Sequence, residues 1–193
     1  MGESLESRIR TSKIKPVDSL KWLYNKVRHY RRSKVVPNEA FNIRRGGVFI
    51  GGMFVYRYDP KTKDKLPWWD NLPVVIPIEL YENGWLGLNL HYVPPRVRVK
   101  LLDRLSEFKR RARTPRAYMR LSYAFLKQTL EMKMFEPCIK RYLHSHLTTP
   151  LVRIEDEYWE MVAMLPIQEF RQANAQKVWA NPRGPKKRIR KKK

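Results

Sequence analysis

Lysine and arginine are the residues whose number and grouping point most directly to chemistry here, and that chemistry is the neutralisation of phosphate. The 193-residue chain carries 41 of them against 18 aspartates and glutamates, a formal charge of +23. A compact fold repels itself at such a charge, so a polyanionic partner is the ordinary reason to keep it. The cations fall into blocks. Lys21, Lys26, Arg28, Arg31, Arg32, Arg44 and Arg45 belong to residues 1–45. Arg96, Lys100, Arg104, Arg110, Arg111, Arg113, Arg116 and Arg120 belong to residues 96–146, and Lys186, Lys187, Arg188 and Arg190 to the C-terminal run. Residues 46–95 and 147–170, which separate these blocks, are near neutral or acidic. Three basic blocks exceed what a localisation signal needs, and they make these side chains candidate contacts to nucleic acid, DNA or RNA. No helix-turn-helix pattern and no RNA-binding sheet signature accompanies them, so readout of base sequence is not supported.

Other chemistries find less in the sequence. Cys138, His144, His146 and His91 do not have the paired spacing of a zinc site. A metal-dependent nuclease needs clustered carboxylates; Asp59, Asp70 and Glu79 serve only if the fold brings them together, and Glu155-Asp156-Glu157 reads first as a turn. Neither GxxxxGK[ST] nor GxGxxG occurs, which argues against nucleotide hydrolysis. No metal, cofactor or catalytic residue is therefore assigned, and a nuclease stays as a second alternative. The amphipathic basic segment Leu20–Arg32 suits an anionic membrane surface, but the basic tail lacks an apolar anchor and no apolar run is long enough to span a bilayer. One cysteine excludes an internal disulfide framework and fits a reducing compartment, and the N-terminus MGESLESRIR lacks the apolar core of a signal peptide.

The elements that must hold these cations follow from periodicity. Residues 1–15 are polar and aperiodic, and read as disordered until bound. Leu20, Leu23, Tyr24 and Val27 then mark an amphipathic helix. Val48–Tyr58 reads as a strand bent or bulged at Gly51-Gly52. Val74–Leu80 and Trp85–Tyr92, joined by Glu82-Asn83-Gly84, read as a hairpin with a type I′ turn, and Pro77 belongs at an edge or a non-bonding position. Pro94-Pro95 starts a helix with Val97, Leu101, Leu105 and Phe108 on its apolar side. Thr114-Pro115 caps another with Met119, Tyr123, Leu126 and Leu130. A short helix is expected over 137–146, strands over 151–154 and 158–165, and a last helix from Pro166. Trp68, Trp69, Trp85 and Tyr92 are expected in the core.

Some of these residues also carry a family resemblance. Tyr56-Arg57-Tyr58-Asp59-Pro60-Lys61, Leu66-Pro67-Trp68-Trp69-Asp70, Leu72-Pro73 and Gly87-Leu88-Asn89-Leu90-His91-Tyr92-Val93-Pro94-Pro95-Arg96 resemble the pattern YDPK, LPYYD, FPL and GLNLHYLPPRxR of the DNA end protector (head-completion) proteins of T-even-like tailed phages. The resemblance covers roughly residues 49–105; Trp68-Trp69 replace two tyrosines and Leu72 a phenylalanine. It implies a non-catalytic virion protein that binds the ends of linear double-stranded DNA, blocks host exonuclease and sits in the head near the portal.

Together these readings give an α+β protein, a small strongly bent antiparallel sheet or SH3-like β-barrel decorated with basic helices. A basic N-terminal arm and helix (1–47) precede a single core domain (48–180) with a basic helical insertion (about 96–146), and a disordered basic tail (181–193) follows. The expected function is protection of phage DNA ends during head completion, in the virion and earlier in the host cytoplasm, with portal or neck proteins as further partners. The first alternative is a structural connector of the phage neck or tail with basic arms.

Overall fold

The computed structural model describes residues 3–28, 47–66 and 68–166. The element order is α1 (Leu5–Thr11), α2 (Pro16–Arg28), β1 (Phe54–Val55), β2 (Val74–Tyr81), β3 (Gly84–Asn89), α3 (Pro95–Arg111), α4 (Pro115–Glu131), β4 (Ile139–Leu143), β5 (Val152–Arg153) and α5 (Trp159–Ala163). The fold is α+β, with five strands in one antiparallel sheet of order β4-β3-β2-β1-β5.

The sheet is open, which corrects the SH3-like barrel. Its edges, β4 and β5, lie at opposite ends of the strand order, and β1 contributes only Phe54 and Val55 where Val48–Tyr58 predicts a long strand. Closure is not needed to bury its faces. Val55, Val74, Ile76, Ile78, Leu88 and Ile139 join one core with Leu23, Leu101, Leu102, Leu105, Leu126 and Val162 of the helices. Phe54, Val75, Trp85 and Tyr142 turn to the other face, where they meet Tyr56 and Tyr58. The alternation along each strand is what divides the two cores. On the second face Tyr56 stands edge-on to Trp85 and Tyr142, with centroids 5.4 and 5.6 Å apart; such pairs contribute about 0.5–1.5 kcal/mol each beyond their buried area.

The hairpin forms where the sequence puts it, with a different turn. Tyr81 faces Gly84, so Glu82 and Asn83 make the loop, and neither takes a positive φ. A type I′ turn requires positive φ at both central residues. Gly84 instead enters β3, where a Cβ would lie 1.9 Å from the Tyr142 carbonyl oxygen of β4. Pro77 sits inside the sheet at a register shift between Pro77 and Glu79, so its missing N–H interrupts the ladder at a bulge and not at an edge.

Three further expectations change. Residues Leu5–Thr11 form a helix capped by Ser4, with Leu5 buried and its N–H donated to Asp103 of α3 at 2.7 Å. The segment 137–146, expected as helix, holds β4, because Ile139 and Tyr142 serve opposite faces of the sheet. The segment 158–165, expected as strand, holds α5: Trp159, Val162 and Ala163 are buried at helical spacing. The expected last helix lies outside the described residues.

Candidate nucleic-acid interface

The residues of the family pattern lie mostly inside the protein. Asp70, Asn89 and His91 form a buried network: His91 Nδ1 stands 2.6 Å from an Asp70 oxygen that also accepts from Asn89, while the other oxygen accepts from the Leu72 N–H. Burial by itself raises the Asp70 pKa, but the His91 charge and these hydrogen bonds outweigh it and hold the carboxyl below its usual value. Trp68, Trp85 and Tyr92 are buried, as expected. Arg98, three residues after the proline pair, is 0% exposed and donates to the carbonyls of Val93, Val162 and Leu165. Burial pulls its guanidinium down to about 10, so it stays charged at neutral pH while tying α3 to the end of α5.

Asp59, Asp70 and Glu79 do not gather. Among the described residues no three His, Cys, Asp or Glu side chains are placed to hold a metal ion. Asp59 pairs with Lys63 and Glu79 accepts from the Tyr81 hydroxyl. Cys138 is buried, and burial pushes its thiol up to about 12. No helix among the described residues is long and apolar enough to cross a membrane.

The predicted cations fall into three conditions. Arg31, Arg32, Arg44, Arg45, Lys186, Lys187, Arg188 and Arg190 lie outside the described residues. Several others are engaged. Lys26 holds its ammonium 3.9 Å from the centre of the Tyr158 ring and 5.9 Å from that of Trp22; Arg104 and Arg111 both bridge Glu107. Exposed cations make up the rest: Lys21 and Arg28 on α2, Arg96, Lys100 and Arg110 on α3, Arg113 in the connection, and Arg116 and Arg120 on α4.

Helix α4 presents the clearest cationic surface. Thr114 caps it by accepting from the Ala117 N–H at 3.2 Å, Pro115 starts it, and Phe125 packs edge-on against Phe108 of α3. Ser122, Leu126 and Thr129 face inward, a stripe rotated from the predicted one, so Tyr123 is left exposed. Arg116, Arg120, Tyr123 and Lys127 then share the outer face, with Arg120 about 6 Å and Lys127 about 16 Å beyond Arg116 along the axis. Lys127 escaped the sequence reading although it keeps the spacing i, i+4, i+11.

Both α3 and α4 also have arginines and no acid in their first turns. Cations at a helix N-terminus oppose the macrodipole, at a cost of about 0.3–1 kcal/mol each near the surface. An anion laid across that end relieves the cost.

A family model for the phage T4 terminal DNA protecting protein matches residues 3–182, well beyond the 49–105 of the resemblance. Comparison with curated proteins and with solved structures gives no match. The chain belongs to the phage T4 terminal DNA protecting protein family.

Proposed function

We propose that the protein binds the ends of linear double-stranded DNA without reading their sequence, covers the terminus and so bars exonucleases from it. The observation that carries this reading is the outer face of α4, where Arg116, Arg120 and Lys127 lie exposed with no carboxylate partner among the described residues. Family membership supplies the DNA terminus as the target. The work is electrostatic and steric, not catalytic: α4 and the exposed cations of α3 grip phosphates, and the sheet with its two cores fixes them in one rigid relation. The natural place for this activity is the phage head or neck once the genome is packaged, where head completion brings the protein against portal or neck proteins.

The test is a competition between a linear duplex and a closed circle of the same sequence, with exonuclease protection of the linear form measured in parallel. Preference for the linear duplex together with protection supports the reading. Equal affinity for both reduces the protein to a nonspecific DNA coat, and cleavage of the duplex in Mg²⁺ would replace binding by nuclease action. A log–log salt slope falls by about 0.9 per phosphate neutralised, so six contacts give roughly −5. A flat slope, with copurification on a portal or adaptor after nuclease treatment, would move the basic surface to a protein partner.

A further inference from the structure

A cavity of about 520 Å³ opens where the Gly47–Met53 segment, the α3–α4 connection and the Arg153–Trp159 stretch meet. That size falls within the range of small-molecule sites, about 300–1,000 Å³. Phe49, Met53, Pro115, Met119, Ile154 and Trp159 supply apolar side chains to its lining. The double glycine lets its segment of the wall pack closely against its neighbours. Gly51 has φ +80° and a Cβ there would lie 2.7 Å from Ser122 Cβ; on Gly52 it would meet the Phe49 ring at 2.7 Å. Trp159 brings an indole N–H that has no hydrogen-bond partner among the described residues.

The rim carries charge in a definite pattern. Lys109 bridges Asp156 and Arg153 bridges Glu155, so both acids of the lining are matched. Arg113 is exposed with no carboxylate partner among the described residues, and it stands next to the start of the α4 row. An apolar slot with one uncommitted cation at its mouth fits a flat aromatic group that carries a phosphate. Continuity with the cationic face of α4 makes that group part of the bound DNA. An interior nucleotide is paired and stacked on both sides, and extruding it costs a few kcal/mol, least for an unpaired base. The last nucleotide is stacked on one side only.

We propose that this cavity receives the terminal nucleotide of a DNA strand, its base against the apolar wall and the phosphate 5′ to it on Arg113. The proposal rests on the DNA-end reading above and gives it a source of end preference, since phosphate contacts alone do not distinguish an end from the interior. Base–aromatic stacking contributes about 1–3 kcal/mol per base, which converts to roughly a five- to 160-fold preference for a terminus.

The test uses the full chain and duplexes carrying 2-aminopurine either at the terminal position or ten pairs inside. A fluorescence change on binding is expected for the terminal probe alone. Met119→Trp, which fills the cavity, and Arg113→Ala, in the exposed connection, should each lower the preference for the linear duplex over the closed circle by about fivefold or more. Affinity for the circle should change less than twofold with Met119→Trp. Retained end preference in both variants, with the terminal and internal probes responding alike, overturns the cavity as the site while leaving the DNA-end reading intact. If the unaltered chain shows no preference for the linear duplex, the DNA-end reading and this proposal fail together.

Discussion

Arg98 of α3 is fully buried and holds three main-chain carbonyls, whereas Arg116 at the start of α4 is exposed and has no carboxylate partner among the described residues. The two sit on neighbouring helices in the same basic block, yet one closes the core and the other faces the solvent. The contrast extends to the segments around them. The GLNLHYV stretch, with Asp70, is a buried scaffold; the α4 face is bare of acids until Glu131. Net charge therefore overstates what is available to DNA, and the most recognisable sequence pattern marks the frame more than the contact surface.

Arg98→Ala should give the largest effect on either side of this comparison. It leaves a cavity and three carbonyls short of a donor in a buried setting, at a cost on the order of 3 kcal/mol or more. Urea unfolding measures it. A loss under 1 kcal/mol would mean that α3 and α5 are held without the guanidinium, and the scaffold half of the contrast would fall.

The combined change Arg116→Ala, Arg120→Ala and Lys127→Ala should act in the opposite sense. DNA affinity at low salt falls on the order of a hundredfold, and the salt slope becomes shallower by about three, one for each phosphate left without its cation. Stability should hold or rise slightly, because Arg116 opposes the helix dipole and alanine favours the helix. Unchanged binding would remove α4 from the interface.

Much of this division was legible in the sequence, and what was not has physical causes. The place of the hairpin and the start of α3 follow from Glu82-Asn83-Gly84 and Pro94-Pro95, although the turn itself is not the type I′ that Asn83-Gly84 predicts. β4 and α5 were missed because IKRYL and YWEMVAML are short, and periodicity in so few residues does not separate strand from helix. Residues 1–15 read as polar and aperiodic, and nothing local shows that Asp103 receives the Leu5 N–H. The cationic blocks could be read directly, but which arginines are free could not, since burial and pairing with Glu107 are properties of the fold. The cavity had one sequence signal, Gly51-Gly52, which reads as a bend or bulge in a strand; its other walls come from the α3–α4 connection, α4 and the Arg153–Trp159 stretch.

Asp70→Asn tests the scaffold through pH. The folded-state pKa of Asp70 is depressed, with the His91 charge and hydrogen bonds overcoming burial. Its stabilisation is thus fully present above the unfolded carboxylate value, about 3.9, and is lost as pH falls through the lower folded value. The substitution should cost about 1–3 kcal/mol at pH 7, and the gap between the two proteins should narrow below about pH 4. A gap that stays constant from neutral pH down to about pH 3 would show that the carboxylate charge is not what the network uses.

Glu107→Gln asks whether α3 is weak toward DNA because of pairing or because of position. Glu107 accepts from Arg104 and stands 2.6 Å from Arg111, so one carboxylate occupies two exposed guanidiniums. Arg104 first, and then the charges of Arg104, Arg111 and Arg110, hold its carboxyl below the usual range, so acidification within the neutral range will not release them and a substitution is needed. Glutamine keeps the shape and removes the charge. If α3 lies beside the bound DNA, affinity rises a few-fold and the salt slope steepens by up to about two, since two more cations become free for phosphate. If affinity and slope do not move, α3 faces away from the duplex, the interface is narrowed to α4 and the connection at Arg113, and Arg96 and Lys100 leave the DNA-binding surface with it.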